Sequence, residues 1–472
     1  MLSTYSTSLM VELPPELWLY IAEFIPDCEL RNLLDVSRVF YEVALNVRYN
    51  EITIEGVDSR TITLLKRLRD PEVASRVLRL SIVSRTTRTQ LIDDVQTFRF
   101  ANLVRRKNLS VESATQCLID VLPRFTNLNG FSVDFLGYPS SYKLIPFLNA
   151  AWSTFGKQIR TLSLSGHLDA FHIIVGSSTP LESLESLNIQ LTASIYPRTD
   201  AGESIESVMA LRNFINGTSP RLKTFGLWSW AATDVSRLFV DLDHFPLLHR
   251  FHIRTAFNKG FLTDPSGLSR FVQGHASTLN DLQLWLRPTG SAVDPSLEEP
   301  LSKWLLATVD PIPEFPVLKD LQFYPTHHHN GFDAFLLTIQ RSANTLTNLI
   351  SRDHYLSPQE TIELIDALAC NGPNGTLRTL RLNIVVLTGD VIDAMAKKLP
   401  GLVSLKLYIG DNQQSFDDVL KDRSFPSWKL YDLGIWCGGS VFDGESMRLL
   451  ARSIPSVRSF WENGHMKIDD YP

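Results

Sequence analysis

Cysteine is scarce. The chain has four in 472 residues, Cys28, Cys117, Cys370 and Cys437, far apart and without a CxxC spacing. That excludes a disulfide scaffold and a paired-cysteine zinc site, and it suits a reducing compartment with free, mostly buried thiols. Positive charge is not in excess either. Lys and Arg number 45 against 51 Asp and Glu, a net charge of −6, so composition advertises neither a nucleic-acid nor an anionic-membrane surface. No apolar run approaches a membrane span, and the opening MLSTYSTSLM lacks a positive n-region, so the chain is expected in the cytosol or nucleus.

Catalytic signatures are missing as well: there is no phosphate-binding glycine loop, no nucleophile elbow and no HExxH, so the expectation is a non-enzyme without a cofactor. His327-His328-His329 precede Asn330-Gly331 and read as a solvated turn, because adjacent side chains do not readily converge on a metal. His252 alternates with Phe251 and Ile253, which places it on an outer strand face as a binding contact. Cys437-Gly438-Gly439-Ser440 follows a strand with no identifiable base and is taken as a turn. The sequons at Asn108, Asn216 and Asn374 are chance matches without a secretory route.

What the chain does have begins at Val11–Asn50, which reads as three short helices too apolar to stand alone. Pro14 and Pro15 fit a first helical turn, and Leu17, Ile21, Phe24 and Ile25 recur at helical spacing, predicting one buried face. Trp18, Leu19 and Tyr20 add apolar surface on other sides, so this helix needs neighbours on more than one face. Pro26 ends it. Asp27 and Ser37 are placed to cap the second and third helices, which carry Leu30, Leu33 and Leu34, then Phe40, Val43, Ala44 and Val47. Forty residues bury too little for comfort, which predicts a partner surface in this chain or another.

The run Leu13-Pro14-Pro15-Glu16-Leu17, with Ile21, Leu30, Val36-Ser37-Arg38 and Phe40, resembles an F-box. That motif docks substrate receptors onto the Skp adaptor of Skp–cullin–F-box ubiquitin ligases. The resemblance covers about forty residues. It implies that Leu13, Pro14, Leu17, Ile21, Ile25, Leu30 and Leu33 press into the adaptor, while Val36 and Phe40 hold the helices together. The alternative is an N-terminal helical cap on the domain that follows.

From about residue 75 a pattern, apolar-x-x-apolar-x-apolar, keeps returning. It runs from Val77/Leu80/Ile82 and Leu128/Phe131/Val133 through Leu222/Phe225/Leu227 to Leu430/Leu433/Ile435. Two copies are degraded: Leu346/Leu349 ends in Ser351, and Val457/Phe460 ends in Glu462. Each unit predicts one short strand. Helical segments intervene. Ser357-Pro358-Gln359-Glu360 is a capping box with proline at the first helical position. Another helix opens at Thr388, with Asp390 and Asp393 early and Lys397 and Lys398 late, as the macrodipole favours.

One strand and one helix per repeat resembles a leucine-rich-repeat solenoid. The resemblance is loose: central residues lie 25 to 39 positions apart beyond the first gap, and the family's Asn or Cys three places after the last Leu is mostly absent, as at His167 and Val385. Irregular loops and uneven curvature follow. A single wound parallel sheet is the alternative, and more than ten strands argue against it. The expected architecture is therefore α/β. Residues 1–10 are a disordered tail, 11–50 the F-box, and 51–472 an irregular leucine-rich-repeat-like solenoid with parallel strands on the concave face and helices on the convex face. Residues 51–82 form its cap, joined to the F-box without a flexible linker. Pro288–Pro300 is expected to be a long exposed loop.

The outward strand positions carry the functional expectation. Three places after the central residue, from Asp134 to Asn463, seven of twelve positions are Trp, Tyr or Arg: Trp228, Arg254, Trp285, Tyr324, Arg352, Tyr408 and Trp436. Those types dominate interface hot spots, and large aromatics in water need a reason. They predict a substrate-binding face for an unidentified protein. Arg250, His252, Arg381, Lys406 and Trp461 in neighbouring columns suit a ligand offering carboxylates or phosphates beside apolar groups. The alternative is that loops fold over this surface. The expected function is a receptor that holds the Skp adaptor, and through it a cullin, at one end and a protein substrate on the solenoid. A non-ligase scaffold or inhibitor is the runner-up.

Overall fold

The computed structural model describes residues 14–33, 38–55, 59–83, 111–134, 145–168, 171–176, 181–192, 202–229, 234–257, 264–287, 295–369, 375–410, 419–420, 422–437 and 444–461. The tail 1–10, Leu13, Leu34, Val36 and Ser37, Cys370, Gly438 to Ser440 and Asn463 lie outside them. The chain forms two units, Met1–Gly166 with Gly176–Leu184, and His167–Val175 with Glu185–Pro472. No helix among the described residues is long and apolar enough to cross a membrane.

The first unit opens with helices Pro15–Glu23, Asp27–Leu30 continued by a 3-10 turn Arg31–Leu33, and Arg38–Asn50. The Pro14 carbonyl accepts the N–H groups of Leu17 and Trp18, and Pro15 costs the first turn nothing because its missing N–H has no partner to lose. The third helix runs straight into strand β1 (Glu51–Ile54). Arg76 ties back to it, reaching both Glu42 and Asn46. Strands β2 (Arg79–Val83), β3 (Gly130–Asp134) and β4 (Thr161–His167) follow, each parallel to the one before. Their register stacks Ile52, Leu80, Phe131 and Leu162 in one row and Ile54, Ile82, Val133 and Leu164 in the next. Phe131 is the centre of this core, with Phe147, Trp152 and Phe155 of the helix Ile145–Phe155 around it. Each such side chain contributes about 1.5–3 kcal/mol by burial.

The second unit contains β5 (Ser186–Thr192), β6 (Thr224–Ser229), β7 (Arg250–Ala256), β8 (Asp281–Arg287), β9 (Asp320–Phe323), β10 (Asn348–Ser351), β11 (Thr379–Ile384), β12 (Ser404–Ile409), β13 (Asp432–Cys437) and β14 (Ser459–Trp461). All pair in parallel in chain order, with a helix in almost every connection. The central apolar residues stay in register throughout, from Leu187 through Phe225, Phe251 and Leu282 to Leu433 and Phe460. Two helix starts follow their sequence chemistry. Ser357 and Glu360 exchange backbone-to-side-chain bonds at the head of Pro358–Ala369, and Thr388 Oγ1 accepts from the Val391 N–H at the head of Gly389–Lys398.

The missing asparagine ladder has a main-chain substitute. In each repeat of the second unit one carbonyl just before the strand accepts two consecutive N–H groups of the next repeat. Glu185 serves Lys223 and Thr224, Lys223 serves His249 and Arg250, His249 serves Asn280 and Asp281, and so on to Tyr431 serving Arg458 and Ser459. These bonds satisfy backbone groups at the turn that side chains would otherwise have to meet.

Both degraded repeats still form strands. Ser351 occupies the third apolar place opposite Phe323 and is fully buried, with no hydrogen-bond partner for its hydroxyl among the described residues. Burying an unsatisfied hydroxyl is costly, so Ser351→Ala is expected to raise stability by about 1 kcal/mol in urea unfolding.

One expectation needs correction, and another gains detail. The segment Pro288–Pro300 is not one loop, because its last six residues belong to the helix Pro295–Val309. Glu298 in that first turn accepts from Tyr324 and His327, which anchors the helix start. His327 and His329 are exposed, as a solvated turn requires, and the turn passes directly into a helix. His328 caps the helix His329–Ser342, its ring accepting from the Asn330 N–H, while His327 Nδ1 lies 2.9 Å from His354 Nδ1. No metal-binding group of three or more His, Cys, Asp or Glu occurs among the described residues. Cys117 is half-buried and free.

Candidate functional site

The N-terminal helices divide their apolar side chains into two sets. Ala22, Leu30 and Phe40 form a small core, with Trp18, Ile25, Leu33 and Val43 packed against it. Trp18 meets Phe40 edge to face at 5.2 Å. Leu17, Tyr20, Ile21 and Phe24 are left outside, Phe24 at 71% exposure. The expected inward face is thus rotated. Trp18 and Ala22 point in where Leu17, Ile21 and Phe24 were expected, because the indole covers more of Phe40 than a leucine would and Ala22 lets the helices approach.

This division sorts the seven residues assigned to adaptor docking. Pro14, Leu17 and Ile21 are exposed beside Tyr20 and Phe24. Leu30 is 2% exposed and belongs to the internal core, so it does not face a partner. Ile25 and Leu33 are half-buried against the same core, and Leu13 lies outside the described residues. Phe40 holds the helices together as expected.

The second surface is the outer strand face of the second unit. The register aligns Trp228 with Arg254 and Arg254 with Trp285 on β6 to β8, and Asn383 with Tyr408 and Trp436 on β11 to β13. Here the column is more self-engaged than its positions promised. The Arg254 guanidinium lies 3.5 Å from the Trp285 ring centroid, Arg352 lies 5.0 Å from the same ring, and Trp285 Nε1 donates to Asp353 at 2.8 Å. Arg254 and Trp285 are consequently buried, not solvent-facing. Tyr324 is buried too, its hydroxyl donating to Glu298 at 2.8 Å. Cation–π contact and buried hydrogen bonds explain why these large groups leave water.

Trp228, Arg352, Tyr408 and Trp436 remain half-exposed. Tyr408 and Trp436 stack at 4.5 Å with a 10° tilt, and Arg381 reaches Tyr408 twice, its Nη2 donating to the hydroxyl at 2.9 Å and its guanidinium 4.7 Å from the ring. The result is a stiff aromatic platform. Asp353 and Glu298, which fix Trp285 and Tyr324, were not singled out from sequence. They come from 68 and 26 residues away and carry no local signal.

One buried histidine borders this face. His354 packs against His327 and lies 3.6 Å from Glu360. Burial, reinforced by the neighbouring His327, holds its ring below the usual histidine range, against an opposing pull from Glu360.

No protein-family model matches the chain, and no curated protein is significantly similar to it. Among solved structures it is similar to that of the Rad7 and Elc1 complex in yeast, at 12% identity and a TM-score of 0.45, over 85% of this chain and 89% of that one. It is also similar to the TLR13–ssRNA13 complex, at 12% identity and 0.38, over 88% and 47% of the two chains. A leucine-rich repeat-containing protein of Legionella pneumophila, LegL7, gives 13% identity and 0.28, over 73% and 86%. These scores are too low to carry an argument, and the repeat architecture stands on the strand register itself.

Proposed function

We propose that the chain is a substrate-recognition subunit of a Skp–cullin–F-box type ubiquitin ligase, with the N-terminal helices as the adaptor-docking module and the outer strand face of the second unit as the substrate-binding surface. The observation that carries this reading is the exposed row Leu17, Tyr20, Ile21 and Phe24, directly after the Leu-Pro opening, on helices whose own core is already closed by Trp18, Ala22, Leu30 and Phe40. A contiguous apolar row rejected by its own core marks an interaction site. Each large side chain of the row buried in a complex would add about 1.5–3 kcal/mol.

The subunit itself does no chemistry in this reading. It raises the local concentration of substrate lysines at an enzyme recruited through the cullin, in the cytoplasm or nucleus.

The test is co-purification of the full chain with a Skp adaptor beside the variant Leu17→Ala/Ile21→Ala/Phe24→Ala. These side chains lie outside the core, so circular dichroism of the variant is expected to match wild type while adaptor binding falls at least about tenfold. If the wild-type chain does not bind the adaptor, the ligase reading fails and the helices serve as a cap on a repeat scaffold.

A further inference from the structure

Much of the outer strand face of the second unit is engaged with itself. Arg254 and Arg352 pack on Trp285, Gln322 meets Gln283 and Arg352, and Arg381 and Trp436 both pack on Tyr408. Strands β5 and β6 differ. Their outward residues are Ser186, Asn188 and Gln190, then Thr224, Gly226 and Trp228, and none of them carries a charge. Asn188 is exposed, Gln190 and Trp228 are half-exposed, and no side-chain hydrogen bond, ion pair or ring contact engages any of the three among the described residues. The charges that border the patch are matched elsewhere. Lys223 pairs with Glu185 at 2.9 Å just before the two strands, and on β7 and β8 Asp281 lies 2.9 Å from the His252 ring and 4.0 Å from Arg250.

The patch has a fixed layout. Asn188 is in register with Gly226 and Gln190 with Trp228, so the indole stands beside the Gln190 carboxamide. A Cβ on Gly226 would overlap Asn188 Oδ1, which shows that the Asn188 carboxamide lies over the glycine, braced by the neighbouring strand. Two places along a strand span about 6.6 Å, and that is the separation of Asn188 from Gln190 along β5. Each carboxamide offers both donors and an acceptor.

We infer that this patch binds an uncharged, extended peptide segment of a protein partner. The segment runs along β5, and main-chain amides two residues apart bond to Asn188 and Gln190 while an apolar side chain lies on the Trp228 indole. The match is one of spacing. An extended chain turns the amides of residues two apart to the same edge, again about 6.6 Å from one another, and a peptide group has the donor and acceptor that a carboxamide complements. Neutrality follows from the patch, because a charge buried against it would find no partner. A nucleic acid fits less well, since no Lys or Arg among these residues meets a phosphate. Neighbouring hydroxyls of a sugar lie closer together than the two carboxamides, so one sugar would engage only one of them. The inference rests on the reading of this face as the substrate-binding one, and not on adaptor docking.

The experiment probes the full chain on an array of short immobilised peptides in which charge and apolar content vary independently, with maltoheptaose and a single-stranded oligonucleotide as soluble competitors. Retention is expected to favour uncharged peptides with an apolar residue and to stay constant between about 0.05 and 0.5 M salt. N-methylation of the retained peptides, one main-chain amide at a time, should weaken retention at alternate residues. Trp228→Ala and Asn188→Ala/Gln190→Ala should each lower it about tenfold. Gly226→Ala should lower it too, with unchanged circular dichroism, by displacing the Asn188 carboxamide, whereas Lys319→Ala, outside the patch, should not. Preference for charged peptides, displacement by either competitor, or no peptide retained overturns the inference. Retention lost in Trp436→Ala but kept in Trp228→Ala overturns it as well, while leaving the face as the substrate-binding one. The same preparations are tested for adaptor co-purification. Neutral-peptide binding without adaptor binding sinks the ligase reading and leaves this one standing, and the converse does the reverse.

Discussion

Gly331→Ala is expected to cost about 3 kcal/mol or more, enough to show as a large drop in the urea midpoint. Gly331 sits in the first turn of the helix His329–Ser342, its N–H donating to the His328 carbonyl at 2.9 Å. A Cβ added there would overlap the Pro325 carbonyl oxygen and Thr326 Oγ1. Neither can step aside. Pro325 and Thr326 are buried, Thr326 holds a φ of 62° that a β-branched residue seldom adopts, and its hydroxyl is bonded to Ser302 at 2.7 Å. Gly274 supplies the contrast. It lies in the helix Ser266–His275 with nothing within 4 Å of an added Cβ, so Gly274→Ala is expected to stabilise by about 0.5–1 kcal/mol through lower chain entropy. The same chemical change should therefore move the midpoint in opposite directions. Equal effects at the two sites would contradict the packing described around Thr326.

The second large effect is acid sensitivity. His275 is 2% exposed, with Nδ1 donating to the Phe271 carbonyl at 2.7 Å and Nε2 accepting the Phe245 N–H at 3.0 Å. Both bonds specify the neutral ring. A second proton on Nε2 would point at another N–H, in a site lined by Phe271 and Phe245 and stacked on His244 at 4.7 Å. Burial, the largest influence, pushes the His275 pKa down from its ordinary 6.5, and the His244 charge adds to it against the Phe271 bond. His354 shifts the same way. A lowered native pKa means that, below about 6.5, the unfolded chain binds protons more readily than the folded one. Stability is thus complete above that value and declines as pH falls from it toward the native pKa. Thermal midpoints are expected to drop between pH 7.5 and 5.5, and His275→Gln should flatten that dependence while lowering the midpoint at pH 7.5. A wild-type midpoint unchanged over this range would rule out the neutral, doubly bonded ring.

Much of the repeat architecture was legible because period-two alternation and helix caps are local chemistry. Leu222/Phe225/Leu227 could hardly be anything but a strand between stops, and Ser357 with Glu360 announces its helix within four residues. The first helix was less transparent. Leu17, Ile21 and Phe24 have helical spacing, and so do Trp18, Ala22 and Ile25; only Phe40, far along the chain, decides which set turns inward. The outer column had a similar ambiguity. Its aromatic and arginine content showed in the sequence, but the withdrawal of Trp285 and Tyr324 depends on Asp353 and Glu298, whose arrival is a matter of three-dimensional geometry.

The paired N–H groups that close on one carbonyl in each repeat bear on how such a chain can diverge. Every residue except proline supplies the same donor and acceptor, so the clamp is indifferent to which side chains stand at Glu185, Lys223, His249 or Tyr431. Lineages carrying it are free to exchange those positions and to lengthen the arcs between strands, as the uneven spacing of 25 to 39 beyond the first gap records, while keeping the strands in register. Kinship among such proteins would fade from their side chains well before it left their backbones.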